Sequence, residues 1–368
     1  RIGLALTSGI VPSSSRSSTA SPATRSPRTR PARRTPRRGT GGTTLNDVAA
    51  LAGVSAITVS RALKKPDVVA QETLARIQDA VARTGYVPNL IAGGLASNRT
   101  GLIAALVPTI AGSVFLDTVQ ALTDACDEAG CQLMLGQSGY TGFREDALIN
   151  AIVGRRPDGI VLTGIMHSPE GRKRLLASGI PVVETWDLTP TPIDMLVGFS
   201  HERVGMEVAD YLYGKGYRRP AIVTAEDYRA GLRRAGFEHR MRSLGVLDIP
   251  VRVVTAPTML RHGRESMTEL MQRAAPPDVI FCSSDVLAHG VITEAQARGM
   301  QVPGDIAVMG FGDLAFSPYL HPALSTVHID GTAIGRQAAR FILDRIEGHD
   351  IGERVRDIGF TIVPRQSA

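Results

Sequence analysis

The chain has 368 residues, enough for about two or three domains, and a formal net charge of +6 at pH 7. The charge is unevenly placed: residues 1–40 hold nine arginines and no acid, whereas residues 101–368 hold 26 basic against 31 acidic side chains, so the basic balance does not argue that the body of the chain binds nucleic acid. Three cysteines (Cys126, Cys131 and Cys282) without CxxC or zinc spacing argue against a disulfide framework and for free thiols in a reducing cytoplasm, and no apolar run is long enough to span a bilayer.

In chain order, the opening RIGLALTSGIVPSSS is too short, and lacks the lysine-rich flank, for a secretory signal. Residues 1–42 are rich in Ser, Thr, Pro and Arg and have almost no apolar content after Val11. Such a segment cannot bury enough surface to fold and is expected to be disordered. It is either an arm that holds DNA phosphates without sequence preference or a start with no function.

Residues 44–63 read TLNDVAALAGVSAITVSRAL. Leu45, Val48, Ala49 and Ala52 recur at helical spacing, and Thr44 with Asp47 forms a capping-box pattern at the start. Gly53 supplies a turn, and Ser55 can cap a second helix over 56–63. Two short helices joined by a Gly-containing turn are either a plain αα-hairpin or a helix-turn-helix whose second helix enters the DNA major groove. A third helix is expected at about 70–84, with Leu74, Ile77 and Val81 inward and Gly85 as its C-cap. Residues 89–98, NLIAGGLASN, contain Gly93-Gly94, and each Gly costs about 1 kcal/mol against Ala inside a helix. A flexible linker would look the same.

From residue 101, strand candidates alternate with amphipathic helices. The strands are 102–108, 132–137, 159–164, 181–186, 195–199, 220–224, 251–255, 279–284 and 305–311; helices lie near 114–129, 144–155 and 169–178. This alternation predicts doubly wound parallel sheets, and about ten strands suggest two of them. Ligands bind such sheets at the carboxyl ends of the strands. Polar or aromatic groups follow several strand ends here: Phe115, then Tyr140 and Arg144, His167, Asp187, Ser284-Asp285 and Gly312-Asp313. Arg233 is placed at the opening of a helix in GLRRAGF. Asp285 has a plainer alternative, as a carboxylate favoured at a helix start. LGQSGY lacks the GxSxG spacing of a nucleophile elbow, GFGDLA lacks the third Gly of a dinucleotide loop, and the eight histidines show no HExxH. No enzyme and no cofactor are implied.

The run VSAITVSRAL, with GYVPN at 85–89 and LASNRTGLIAALVP at 95–108, resembles the lactose-repressor (LacI/GalR) family of bacterial transcription regulators over roughly residues 43–366. The resemblance implies an all-α helix-turn-helix headpiece at 43–88 and a hinge at 89–100. It also implies a two-lobed, periplasmic-binding-protein-like effector domain, with residues 101–200 and 328–347 in the first lobe and 201–327 and 348–368 in the second. The crossings are placed near 198–201, 325–329 and 347–352. By motif, Ala56, Ile57 and Arg61 take the base-reading positions; Arg61 can bond guanine, and the two apolar residues can meet thymine methyls. Thr44, Ser55, Thr58, Ser60, Lys64 and Lys65 are phosphate candidates. Asn89, Ala92 and Leu95 match the hinge, where a leucine wedges into the minor groove. Asp187, Arg233 and Ser284 match effector-contacting positions, and Gly312 stands where some sugar-binding members carry an acid.

Within the family the likeness is to repressors of gluconate utilisation, through GYTGFRED (139–146), DGIVLTGIMHSP (158–169), IPVVETWD (180–187), LVGFS (196–200) and DIGFTIVP (357–364). The implied protein is a cytoplasmic homodimeric repressor on a pseudo-palindromic operator, controlled by gluconate or a related sugar acid. No heptad tail predicts a coiled-coil tetramer. The alternatives are a two-lobed solute-binding protein, and a regulator that answers to a different sugar or uses its ligand as a corepressor.

Overall fold

The computed structural model describes residues 42–87, 99–111, 114–140, 142–165 and 168–368. The chain divides into two compact units between Pro88 and Asn89. The tail, the hinge positions Asn89, Ala92 and Leu95, and His167 lie outside the described residues.

The first unit is three helices: α1 (Leu45–Ala52), α2 (Ala56–Lys64) and α3 (Gln71–Thr84). The capping box forms, with the Asp47 carboxylate accepting from the Thr44 amide at 2.7 Å and the Thr44 hydroxyl accepting from the Asp47 amide at 3.4 Å. Gly53 turns the chain at φ +66°, and Ser55 caps α2 by accepting from the Thr58 amide at 3.2 Å. Val48, Ala49, Ala52, Val59, Ala62, Ile77 and Ala80 make the core.

The second unit holds two parallel sheets. The first runs β11-β5-β4-β3-β1-β2, from β1 (Leu102–Val107), β2 (Gln132–Gln137), β3 (Gly159–Thr163), β4 (Val182–Thr185), β5 (Met195–Gly198) and β11 (Val355–Asp357). The second runs β7-β6-β8-β9, from β6 (Pro220–Ala225), β7 (Val251–Val254), β8 (Val279–Cys282) and β9 (Ala307–Met309). Both sheets are buried on two faces, as parallel sheets require. Ile103, Ala105 and Val107 face α4 (Leu116–Glu128) and α11 (Gly331–Glu347); Ala104 and Leu106 face α5 (Gly142–Val153) and α6 (Pro169–Ser178). In the second sheet, Ile222 and Phe281 face α7 (His201–Gly214) and α8 (Tyr228–Ser243), whereas Val223 and Ile280 face α9 (Leu260–Leu270) and α10 (Asp285–Ala297). One apolar core runs from the first sheet to the second through Phe199, Phe311 and Val327.

The lobes are joined after β5 and by an antiparallel pair, β10 (Thr326–His328) with β12 (Thr361–Val363), in which Val327 faces Ile362. This corrects the expected third crossing at 347–352 and the placing of all of 348–368 in the second lobe. Strand β11 adds to the edge of the first sheet, Val355 opposite Leu196, so the last of the crossings comes at 358–363. Its three residues, VRD, carry a single apolar side chain, and backbone pairing rather than hydrophobic pattern holds them there.

Candidate functional site

On the first unit, α2 turns Val59 and Ala62 inward and leaves Ile57, Arg61 and Lys64 exposed, three and four residues apart and so on one face. Ile57 is 72% exposed, in the structure an unpaid hydrophobic surface unless something covers it. Ile57, Ser60, Arg61, Lys64 and Lys65 border one shallow groove. Ala56 leans against the core instead. The hydroxyls of Ser55 and Thr58 bond each other at 2.8 Å, and that of Thr44 donates to Asp47 at 2.7 Å. Of the predicted DNA-facing set, the structure therefore gathers Ile57, Ser60, Arg61 and Lys64 on one face, with Thr44, Ser55 and Thr58 spent on caps.

In the second unit a cavity lies at the carboxyl ends of both sheets. It encloses about 740 Å³ of non-protein space, part of it open to solvent. It sits where β1 lies between β2 and β3 and where β6 lies between β7 and β8, the points at which strand order reverses. Of the predicted residues, Phe115, Tyr140, Arg233 and Ser284 line it. Asp187 lines an adjoining compartment of about 650 Å³, which shares Tyr140, Asp227 and Arg229 with the first.

Arg233 does not open its helix. Asp227 caps α8, its carboxylate accepting from the Ala230 amide at 3.0 Å, which puts Arg233 in the second turn. There α8 presses on α7: a Cβ on Gly236 would run into the Glu202 carbonyl, and one on Gly205 into the Arg233 carbonyl. This close approach brings His201, the first residue of α7, against the guanidinium. Arg233 Nη1 donates to His201 Nδ1 at 2.9 Å and Nη2 donates to the Ser283 carbonyl at 3.1 Å. His201 Nε2 donates to the Trp186 carbonyl at 2.8 Å. Since arginine only donates and a carbonyl only accepts, the imidazole is neutral with its proton on Nε2. Burial, then the Arg233 and Arg229 charges, hold its pKa well below the usual histidine range. Burial also lowers the Arg233 pKa to about 10, which leaves it charged at neutral pH. Its guanidinium lies 3.9 Å from the centre of the Phe311 ring, and its Nε is buried without a partner among the described residues.

Arg229 stands one helical turn before Arg233. Its guanidinium lies 5.1 Å from the centre of the Phe115 ring and borders Gly164, which follows β3 at φ +106°. Arg229 Nη1 is buried without a partner among the described residues. Asp187 follows Trp186, which is held at φ +66° with its indole N–H donating to the Thr118 hydroxyl at 3.0 Å. Burial raises the Asp187 pKa to about 6. Its Oδ1 accepts from the Leu188 amide at 2.8 Å, and its Oδ2 has no partner among the described residues. Buried polar groups are nearly always hydrogen-bonded; among the described residues, two unmatched donors and one unmatched acceptor belong to side chains that line the cavity or its adjoining compartment.

Three other predicted residues stay outside the cavity wall. Asp285 is fully buried and satisfied, accepting from Leu314 N at 2.8 Å and from the hydroxyls of Ser317 and Thr326, both at 2.6 Å. It ties loops together beneath the site. Asp313 pairs with Arg365 at 2.7 Å and His328 at 3.1 Å. Arg144 is exposed and lies over Gly139. Sequence reasoning missed Arg229, His201, Trp186, Asp227 and Phe311. For Arg229 a signal existed, its one-turn spacing from Arg233; for His201 none did, because its partners are 15 and 32 residues away. Among the described residues no group of His, Cys, Asp and Glu is placed to hold a metal ion, and no helix is long and apolar enough to cross a membrane.

Residues 44–89 match the family described as bacterial regulatory proteins, lacI family, and residues 209–368 match the periplasmic binding protein-like domain. The chain is 37% identical to the HTH-type transcriptional regulator GntR of Pseudomonas aeruginosa, over 90% of this chain and 97% of that one. It is 30% identical to the HTH-type transcriptional regulator GntR of Escherichia coli (strain K12), over 87% and 97%. Among solved structures, a LacI-family transcriptional regulator from Silicibacter pomeroyi matches with a TM-score of 0.83 and 32% identity, covering 88% of this chain and 99% of that one.

Proposed function

The chain belongs to the LacI family of bacterial regulatory proteins and is a DNA-binding transcriptional regulator of repressor type, and from that premise we propose that its operator affinity is set by gluconate or a closely related sugar acid held between its lobes. The observation that carries this reading is the pair Arg229 and Arg233, each with a buried, unpartnered N–H, together with the unpartnered Asp187 oxygen. Guanidiniums suit a carboxylate, and a buried carboxylate suits hydroxyl donors. The phrases shared with gluconate-utilisation repressors, and the relatives named GntR, support the same effector class.

The exposed face of α2 reads the DNA in this proposal, with Arg61 bonding guanine, Ile57 against a thymine methyl, and Ser60, Lys64 and Lys65 on phosphates. Two headpieces of a homodimer take the two halves of a pseudo-palindromic operator. Residues 89–100, with Asn89, Ala92 and Leu95, serve as the hinge. The first lobe is residues 101–200 with 328–357, and the second is 201–327 with 361–368.

Two variants test it by separating the functions. Arg61→Ala should lose sequence-specific operator binding by roughly 1–3 kcal/mol and keep effector binding. Arg233→Ala should bind operator and lose the response to the acid. Normal operator affinity in the first, or a retained response in the second, overturns the corresponding half.

A further inference from the structure

Resting on that reading, we propose that the cavity is polarised along its length, so that it accepts hydroxy acids charged at one end and rejects diacids on the same carbon skeleton. The observation is a segregation of sign. Arg233 lines only the compartment walled by Phe115, Trp186 and Phe311, where the remaining histidine is neutral. Past Tyr140 and Arg229, which border both, the adjoining compartment contains Asp187 and Glu145. Asp227 lines both, so among the described residues the first compartment has two cations against one acid and the second one cation against three acids.

The unmatched atoms follow the same polarity. Arg233, which carries an unmatched donor, lines the first compartment, Arg229, which carries another, lines both, and Asp187, which carries an unmatched acceptor, lines the second. A linear molecule with one carboxylate and a tail of hydroxyls meets both ends: its acid between the guanidiniums, its hydroxyls donating to Asp187. Oxidising the far end to a second carboxylate replaces a donor by an anion facing Asp187, Glu145 and Asp227. Either that carboxylate or a protein carboxyl must then take up a proton. Burial already raises the Glu145 and Asp187 pKa values, and a second anion beside them pushes in the same direction. Selection therefore works through a built-in repulsion as well as an attraction.

The chain's single tryptophan, Trp186, lines the cavity, so its fluorescence in the full-length protein reports binding, with calorimetry for any compound that leaves it unchanged. The probes are D-gluconate, D-glucarate (the same six carbons with a second carboxylate) and D-glucitol (no carboxylate). Gluconate should bind, and each of the others about tenfold more weakly or worse. In Glu145→Gln the ratio of glucarate to gluconate dissociation constants should shrink about threefold or more, because one repelling charge is gone. Glucarate binding as tightly as gluconate, or an unchanged ratio in the variant, overturns the polarity and leaves the sugar-acid reading standing. Glucitol equal to gluconate, or no binding by any of the three, overturns the sugar-acid reading itself.

Discussion

Asp187 keeps a carboxylate where a neutral side chain would be more stable. Burial raises its pKa to about 6 from the ordinary 3.8, so the folded protein holds this proton more tightly than the unfolded chain. The resulting stabilisation is present below pH 4 and is lost as pH rises through 6, a change of about 3 kcal/mol on a two-unit shift. Asp187→Asn should therefore raise stability at pH 8 by roughly 1–3 kcal/mol and remove this pH dependence, while weakening the acid ligand. Urea melts from pH 4 to 8 measure it, and an unchanged melt at pH 8 contradicts the assignment. Legibility at this scale followed the range of each residue's partners. Asp187 was readable because it ends a strand phrase, IPVVETWD. The neutral state of His201 was not, since it is set by a carbonyl of one lobe and a guanidinium of the other. The helix of Arg233 was misplaced because the Asp227 cap looks, in sequence, like any loop acid.

The elements were readable wherever a local pattern decided them. Strands buried on both faces show as the apolar runs LIAALV and VIFC, and the headpiece helices show their caps directly. Where backbone pairing decided, as at β11, sequence placed the lobe crossing too early. Close approach of helices was equally silent, although it places the key side chains. The contact of α7 with α8 at Gly205 and Gly236 holds His201 against Arg233. Gly236→Ala forces a Cβ into the Glu202 carbonyl and should cost roughly 1–3 kcal/mol, with weaker ligand binding as the pair separates. Gly214→Ala, at the far end of α7 with nothing within 4 Å of its Cβ, should instead stabilise by roughly 0.4–1 kcal/mol. Denaturant midpoints for the two variants check this contrast; equal effects contradict the close-contact account.

Across the whole molecule, the proposed DNA-reading face and the proposed effector cavity belong to separate compact units of one chain, so regulation requires a free-energy coupling between them. A ligand can shift operator affinity only by its differential affinity for the two states, typically about 1–3 kcal/mol, or roughly 5- to 150-fold. The overall plan was readable because each unit has its own sequence grammar, helical spacing with caps in one and strand-helix alternation in the other. The polarity of the cavity was not, because it depends on which strand ends meet. The most direct test of the coupling is fluorescence anisotropy at fixed salt, titrating the protein into labelled DNA from its own upstream region with and without gluconate. The account predicts tight, sequence-specific binding that gluconate weakens at least about fivefold. Specific binding that no sugar acid alters would contradict it.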